Sequence, residues 1–529
     1  MPRFQACLGA LALVASFAVS QTADAQRVSA EAAPFRVAAE EGGPGALLEA
    51  LDGVLRRRPE LAGTPETAAN LARDAAVAVR FLRGANLPVY RAIIDRIVAA
   101  APPANRDAVA RAVTAAVGQT ASVDPRTQTR LPPGTVVEGP QERLVVANAE
   151  AERERASRLG FDAGGFRIFP TVDAAVVYDD NVYATKRGKR GDIVGVAALA
   201  LVGENRGSSH SAVVQGHVDV SRYRQYNREN ALDFWFSAEG TYDLGPSTSL
   251  FGGVLGKRDH EDRDSPDAVN GIEPTIYWEQ RAYAGIAHRS GAWRFRFGST
   301  YRHLDFDDAD SLAGRINNSD RSRSHLETGF RVGYVFSPSF QLFGQLAHDL
   351  RNYDGYRDDN GFRRNSQGFV TGMGARFTVS PKLDGEVFAG FMYQNYRDSR
   401  FSTVGTPALQ GSVRWRPVAG TLVVGWFDRS IEETTSFGSP AYVLSSVGAR
   451  LEQDITRDLA LTLRAGYARS DFQDSGRRDH DYDASVGLKY GINENYYVGA
   501  DYRFQARRSN LGAAEYDRSQ VFLRVGAQY

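Results

Sequence analysis

The chain has 529 residues, with 63 basic and 63 acidic side chains, so its formal net charge is +0. This balance excludes the basic composition that nucleic-acid-binding proteins use to attract phosphates, and no nucleic-acid partner is expected. The only cysteine, Cys7, lies in the N-terminal segment, so we expect neither disulfides nor thiol chemistry in the mature protein.

Residues 1–25 form a predicted secretory signal peptide. Arg3 supplies the positive start, residues 8–19 the apolar core, and Ala23-Asp24-Ala25 a cleavage site of small residues. The apolar core is too short for a membrane span. The mature protein is therefore expected in the cell envelope.

Residues 26–118 are predicted to form a small all-α domain, because apolar residues recur there at helical spacing. Thr64 and Pro65 have the residue types of a helix N-cap and of the first helical position. Such stripes need one another to be buried. The stripes are Leu47, Leu48, Leu51, Val54 and Leu55, and then Ile93, Ile94, Ile97 and Val98.

Residues 119–160 connect this domain to the rest of the chain. Four prolines between 120 and 140 predict an extended linker. Residues 148–159, NAEAERERASRL, then predict a short charged helix.

From residue 161 to 529 the apolar residues mostly alternate with polar ones, which is the pattern of β-strands. In the first long strand Val172, Ala174, Val176 and Tyr178 share one face, and Asp173 lies on the other. About eighteen such strands fit the segment. The predicted fold is an all-β transmembrane antiparallel barrel preceded by a small periplasmic all-α domain.

The connections between the predicted strands alternate in length. Short turns fall near 204–207 and 289–291, and long polar connections near 258–271 and 305–320. Outer-membrane barrels have short periplasmic turns and long extracellular loops. An even strand number leaves both barrel ends in the periplasm, so the helical domain is expected there.

The first strand and its loop resemble a known family. A strand containing Pro170 is followed by Tyr178-Asp179-Asp180-Asn181-Val182-Tyr183, a basic loop with glycines, and Asp192-Ile193. This arrangement resembles the Putative beta-barrel porin 2 family, and the likeness extends in overall pattern over 160–529. The resemblance implies an outer-membrane barrel of a kind often associated with exopolysaccharide production and export.

Alternation also predicts which side chains line the lumen. Trp293, Phe295 and Phe297 alternate with Arg294 and Arg296, and a charge facing lipid near the bilayer centre costs about 2–4 kcal/mol. We therefore expect a polar, arginine-biased conduit that contacts anionic groups or saccharide hydroxyls; the structural alternative is that these charges only pair across strands. The predicted lumen residues are Arg294, Arg296, Arg302, Glu327, Arg331, Arg376, Arg414, Arg416, Arg464, Asp501, Arg503 and Arg524.

Two regions carry other expectations. The strands near Ile193 and Leu250 are apolar on both faces, and alternation does not orient them. In the last strand Val525, Ala527 and the aromatic Tyr529 share one face, which resembles the signal read by the outer-membrane assembly machinery. The expected partners are that machinery, outer-membrane lipid, lipopolysaccharide and periplasmic polysaccharide-export components.

The sequence predicts no cofactor, no metal and no enzymatic activity. Residues 252–257, GGVLGK, have the wrong spacing for a phosphate-binding loop, and Arg258 stands where Ser or Thr should bind magnesium. The histidines are scattered without zinc-ligand spacing.

Several functions fit these observations. The leading hypothesis is a passive outer-membrane conduit for export of an exopolysaccharide. A general diffusion porin for small solutes is the runner-up, and a long segment folded into the lumen would favour it. A third is a structural barrel that anchors the helical domain. An autotransporter is disfavoured by the helical N-terminal domain. A TonB-type transporter needs a plug domain and about twenty-two strands, and neither fits this sequence.

Overall fold

The computed structural model describes residues 32–65, 67–68, 71–72, 75, 87–110, 160–266, 271–311, 314–380 and 382–529. The chain divides into two compact units, Met1–Val113 and Thr114–Tyr529. The predicted signal peptide and the segment predicted as linker and charged helix, up to residue 159, lie outside the described residues.

The N-terminal unit contains the helices α1 (Ala32–Arg57) and α2 (Leu87–Ala100). The N–H of Thr67 donates to the Thr64 hydroxyl at 3.3 Å, as expected for an N-cap at Thr64. None of the helices among the described residues is long and apolar enough to cross a membrane. The predicted apolar stripes form the core, with complete burial of Leu47, Leu51, Ile93 and Ile97.

The second unit is a closed antiparallel barrel of eighteen strands, which confirms the predicted fold. The short strand β1 pairs only with β2, and β9 with β10 forms a separate hairpin in the loop between β8 and β11. The strands are β1 Phe161–Ala163, β2 Phe166–Asp179, β3 Asp192–Arg206, β4 His210–Tyr223, β5 Ala231–Asp243, β6 Thr248–His260, β7 Ile276–Ser290, β8 Trp293–Phe306, β9 Ala309–Ser311, β10 Gly314–Ile316, β11 Arg323–Ser337, β12 Phe340–Tyr353, β13 Ser366–Ser380, β14 Leu383–Tyr396, β15 Val404–Trp415, β16 Thr421–Glu433, β17 Ala441–Asp454, β18 Leu459–Phe472, β19 Arg478–Gly491, β20 Tyr496–Ser509 and β21 Tyr516–Gln528.

Pairing of the first and last long strands closes the barrel. Val172 of β2 lies opposite Ala527 of β21, and Val176 lies opposite Leu523. The N–H of Tyr529 donates to the carbonyl of Pro170 at 3.1 Å, which extends this contact to the last residue. Closure leaves no open sheet edge to lipid at this seam.

The two ends of the barrel differ in their connections. One end, called here the short-turn end, carries the connections 207–209, 244–247, 291–292, 338–339, 381–382, 416–420, 455–458 and 492–495. The other, the long-loop end, carries 180–191, 224–230, 261–275, 307–322, 354–365, 397–403, 434–440, 473–477 and 510–515. The alternation of connection lengths predicted from the sequence is present.

The outer face of the barrel is apolar and the inner face is largely polar. Trp293 and Phe297 are exposed on the outside, as predicted. Ile193 and Leu250, which alternation alone did not orient, belong to the same exposed apolar surface. On the inside, aromatic rings lie flat over glycines of the neighbouring strand: a Cβ on Gly374 would stand 2.2 Å from the Phe343 ring, so only glycine fits there.

Candidate functional site: the barrel lumen

The predicted lumen residues on the strands lie on the face opposite the exposed apolar band. In β8 and β11, for example, Arg302 stands opposite His325 and Arg296 opposite Arg331, whereas the exposed Phe297 stands opposite Phe330. The same alternation holds around the wall, for Arg294, Arg296, Arg302, Glu327, Arg331, Arg376, Arg414, Arg464, Asp501, Arg503 and Arg524. Arg416 follows β15 and lies at the short-turn end.

One group of these side chains surrounds Glu386 of β14. Arg331 Nη1 lies 3.1 Å from Glu386 Oε1, and Arg376 Nε lies 2.9 Å from Oε2. Arg331 also donates to Gln345 Oε1 at 2.8 Å and lies 4.0 Å above the Phe343 ring. A cation over an aromatic face gains a further electrostatic attraction.

Two more carboxylates have the same arrangement. Arg414 Nη2 lies 2.6 Å from Asp384 Oδ2, and Arg416 Nη1 lies 3.4 Å from Oδ1. Asp483 lies 3.5 Å from Arg464 and 2.9 Å from Arg503. In each case a single carboxylate is shared between two guanidiniums.

The remaining predicted residues have different surroundings. Arg302 Nε lies 3.1 Å from Glu279, and Arg524 lies 2.7 Å from Asp501. Arg296 stacks on the Phe251 ring at 3.7 Å, and Glu327 stands opposite Asp349. Arg294 donates to the Gly291 carbonyl at 2.6 Å and to that of Trp293, so it is held at the short-turn end.

A hairpin folded inside the barrel was not predicted. The ladder between β15 and β16 runs only from Trp415↔Val423 to Leu409↔Arg429, although both strands continue toward the long-loop end. Pro407 lies just beyond this point and has no N–H to donate. Residues 430–445, called here the inner hairpin, therefore separate from β15.

The packing of the inner hairpin places it on the lumen side of the wall. By alternation, Phe427 and Ile431 belong to the same face of β16. Phe427 is exposed on the outside of the barrel, so Ile431 would be expected there too. Ile431 and Val443 are instead buried in one apolar cluster with Met392 and Ala408, which point inward from β14 and β15. The hairpin has thus moved to the inner side of β15 and covers it.

Polar contacts fix the tip of the inner hairpin. Glu433 accepts from Arg351 Nη1 at 2.7 Å and from the Tyr353 hydroxyl at 2.7 Å. Arg364 is fully buried, pairs with Asp358 at 2.5 Å, and donates to three carbonyls of the tip. These carbonyls belong to Thr434, Ser436 and Ser439.

Residues 261–266, which follow β6 and are called here the inward loop, also fold toward the lumen. Arg507 donates to the Asp264 carbonyl at 2.8 Å, and Gln505 donates to its carboxylate at 2.9 Å. Arg477 of the loop before β19 donates to the Pro266 carbonyl at 3.2 Å. The inward loop starts after β6 yet binds residues of β20, which stands about a third of the barrel away.

Only one group among the described residues has the spacing to hold a metal ion: Asp233, Asp259 and His260. His260 Nδ1 lies 2.7 Å from Asp233, and Lys257 contacts Asp259. Both carboxylates already have a side-chain partner, so this group gives no reason to assign a metal.

The predicted assembly residues face the membrane side of β21. Val525 and Tyr529 are exposed on the outside, and Val525 and Ala527 share their face. The sequence did not single out Arg364, Arg351 or Glu433, which hold the inner hairpin. Pro407 within a strand was the one local signal for the separation of β15 from β16.

Solved structures with a similar barrel include OccAB3 of Acinetobacter baumannii, at 10% identity and TM-score 0.37, covering 69% of this chain and 100% of that chain. OpdL of Pseudomonas aeruginosa is 13% identical with TM-score 0.37, covering 69% and 99%. A mutant of the ferric enterobactin receptor PfeA of the same organism is 7% identical with TM-score 0.37, covering 68% and 80%. No curated protein matches the chain.

The model of one protein family covers the whole barrel. It is described as Putative beta-barrel porin 2 and matches residues 156–529. This match confirms the resemblance seen in the first strand and its loop. With its eighteen-stranded closed barrel and polar lumen, the chain belongs to the Putative beta-barrel porin 2 family of porin-like outer-membrane proteins.

Proposed function

We propose that the protein is a non-enzymatic diffusion porin that lets small hydrophilic solutes cross the outer membrane. The observation that carries this proposal is the inner hairpin, which packs on the lumen side of β12–β15. A segment folded into the lumen narrows the passage and sets a size limit, as small-solute porins require.

The proposed orientation follows from the connections. Short turns face the periplasm in outer-membrane barrels, so the short-turn end is assigned to the periplasm and the long-loop end to the cell surface. Because an even number of strands puts both barrel ends on the same side of the membrane, the helical domain predicted at 26–118 is proposed to lie in the periplasm. Outward-facing Val525, Ala527 and Tyr529 are proposed as the residues that the assembly machinery recognises, and the surface loops as the part that meets lipopolysaccharide.

Export of an exopolysaccharide, which the family resemblance implied, is the competing proposal. An exported polysaccharide chain must keep an unobstructed path from one end of the barrel to the other for its whole length, whereas the inner hairpin and the inward loop occupy space within the lumen. Small solutes are therefore the better supported cargo. Periplasmic polysaccharide-export components would be partners only under the competing proposal.

A deletion strain separates the two proposals. Under the porin proposal, loss of the protein slows uptake of small hydrophilic solutes and leaves surface polysaccharide at its normal amount. Loss of the polysaccharide with normal solute uptake would contradict the porin proposal and support export. Expression of the full chain from a plasmid, which must restore uptake, is the control.

A further inference from the structure

We infer that the lumen wall carries an anion-binding belt that favours small carboxylate- or phosphate-bearing solutes. This inference rests on the proposed porin function and names its substrate class. The arginine belt is defined as three groups of side chains: Arg331 and Arg376 around Glu386, Arg414 and Arg416 around Asp384, and Arg464 and Arg503 around Asp483.

The groups of the belt hold more positive than negative charge. Each carboxylate is shared by a pair of guanidiniums, so each group holds two positive charges for one negative charge. Simple cross-strand pairing, the structural alternative considered from the sequence, needs only one arginine for each carboxylate. Each group therefore carries a formal excess of one positive charge over the carboxylate that its two guanidiniums share.

The arginine side chains of the belt are more exposed to the water of the lumen than the carboxylates. In the Glu386 group, 46% of the Arg376 side chain is exposed, against 5% of the Glu386 side chain. In the Asp483 group the exposed fractions are 46% for Arg464 and 23% for Asp483. A solute in the lumen thus meets more of the guanidinium groups than of the carboxylates that they share.

The groups of the belt follow one another around the wall, on β11–β14, on β14 and the end of β15, and on β18–β20. Guanidiniums in neighbouring groups add to the same local positive potential, so a passing anion is attracted toward this part of the lumen.

The chemistry of guanidinium defines the ligand class. Arginine presents a planar fork of N–H donors that matches the two oxygens of a carboxylate or the oxygens of a phosphate. Exposed guanidiniums with a recessed counter-charge bind such groups weakly, which lets a solute enter and leave. Neutral sugars of the same size lack this attraction.

The experiment measures ion selectivity of the purified full-length protein in planar bilayers under a potassium chloride gradient. Wild type is expected to prefer chloride. The triple variant Arg376→Gln, Arg416→Gln, Arg464→Gln removes one guanidinium from each group and leaves the other to pair with the carboxylate. We expect it to lose the chloride preference, and the corresponding triple Lys variant to keep it.

A matched control is Arg469→Gln, because Arg469 is exposed, pairs with Asp471, and lies on the outer face of β18 by alternation. This variant should leave the selectivity unchanged. In liposome-swelling assays, gluconate should enter wild-type vesicles faster than sorbitol, its uncharged counterpart, and this difference should vanish in the triple Gln variant.

The outcomes distinguish the inference from the function on which it rests. A wild type that conducts but prefers potassium, or a triple Gln variant with unchanged selectivity, overturns the arginine belt and leaves the porin function intact. Absence of any conductance in wild type contradicts the porin function itself. Heat-dependent mobility on gels verifies that each variant forms a closed barrel, and the three single Gln variants repeat the test if the triple variant does not fold.

Discussion

Replacing Arg364 by alanine is expected to release the tip of the inner hairpin. Arg364 is the buried donor that joins the loop 354–365 to the tip, through Asp358 on one side and three carbonyls on the other. Its side chain is only 1% exposed, so no water replaces the lost donor without a rearrangement.

The expected size of the effect follows from this burial. Removing one partner of a buried ion pair costs about 3–5 kcal/mol. Since about 1.4 kcal/mol corresponds to a factor of ten, the ratio of docked to undocked hairpin falls about 100-fold or more. The lysine variant keeps the charge but loses the planar fork, so it should restore only part of the docking.

The assay combines protease cleavage of residues 434–440 with single-channel recording. In Arg364→Ala we expect faster cleavage, larger mean conductance and more current noise than in wild type. Arg315→Ala is the control: Arg315 pairs with Asp308 in the loop 307–322 and is 74% exposed, and such exposed pairs contribute about 0–1 kcal/mol. Equal cleavage and equal conductance in Arg364→Ala and wild type would refute the docking role of Arg364.

Three further predictions concern other parts of the chain. Ile97→Ala should destabilise the helical unit by about 2–5 kcal/mol, seen in urea unfolding of the helical signal, and leave the heat-shifted mobility of the barrel unchanged. Burial, with the nearby Asp359 charge, raises the pKa of Asp320 from 3.8 to about 6. The charged carboxylate is therefore disfavoured in the folded loop, and the free energy of unfolding falls as the pH rises from 3.8 to about 6. Asp320→Asn should therefore slow protease cleavage of the loop 307–322 at pH 8 and have no effect below pH 3.8, where the carboxyl group of Asp320 is protonated in both states. Tags inserted near Asp310 should be accessible in whole cells and tags near Pro338 hidden; the reverse would invert the proposed orientation.

The barrel was predictable because lipid imposes a simple rule on each strand. Only one face meets hydrocarbon, so Trp293 and Phe297 alternate with charged residues that lipid would not tolerate. The same rule gave the number of strands, because each segment of alternating apolar and polar residues ends at a polar connection and can be counted. This rule did not orient Ile193 and Leu250, because both faces of their strands are apolar. Only the register with the neighbouring strands shows which way they point.

The inner hairpin was not predictable by the same reasoning. Residues 430–433 and 441–445 have the composition of ordinary strands, and their separation from the wall is visible only in the pairing with β15. Alternation places Ile431 on the lipid side with Phe427, and tertiary packing overrides that placement. Pro407 signals an edge in a strand, but it does not say which way the neighbouring strand turns.

Alternation also fails to give the height of a residue in the wall. Arg294 and Arg416 have the inward parity of their strands, yet both lie at the short-turn end. Arg294 there donates to turn carbonyls and has none of the cross-strand carboxylate contacts that hold Arg376 or Arg414. The sharing of Glu386, Asp384 and Asp483 between pairs of arginines depends on side-chain reach across neighbouring strands, which the sequence pattern does not specify.

The most direct test of the account is the single-channel conductance of wild type beside a variant in which residues 434–440 are replaced by a two-residue Asn-Gly turn. The replacement removes the tip carbonyls held by Arg364 and leaves β16 and β17 connected. If the inner hairpin narrows a diffusion porin, wild type should conduct and the variant should conduct more. The variant should also admit larger solutes in liposome swelling. A wild type that never conducts, or a variant with unchanged conductance and size limit, would contradict it.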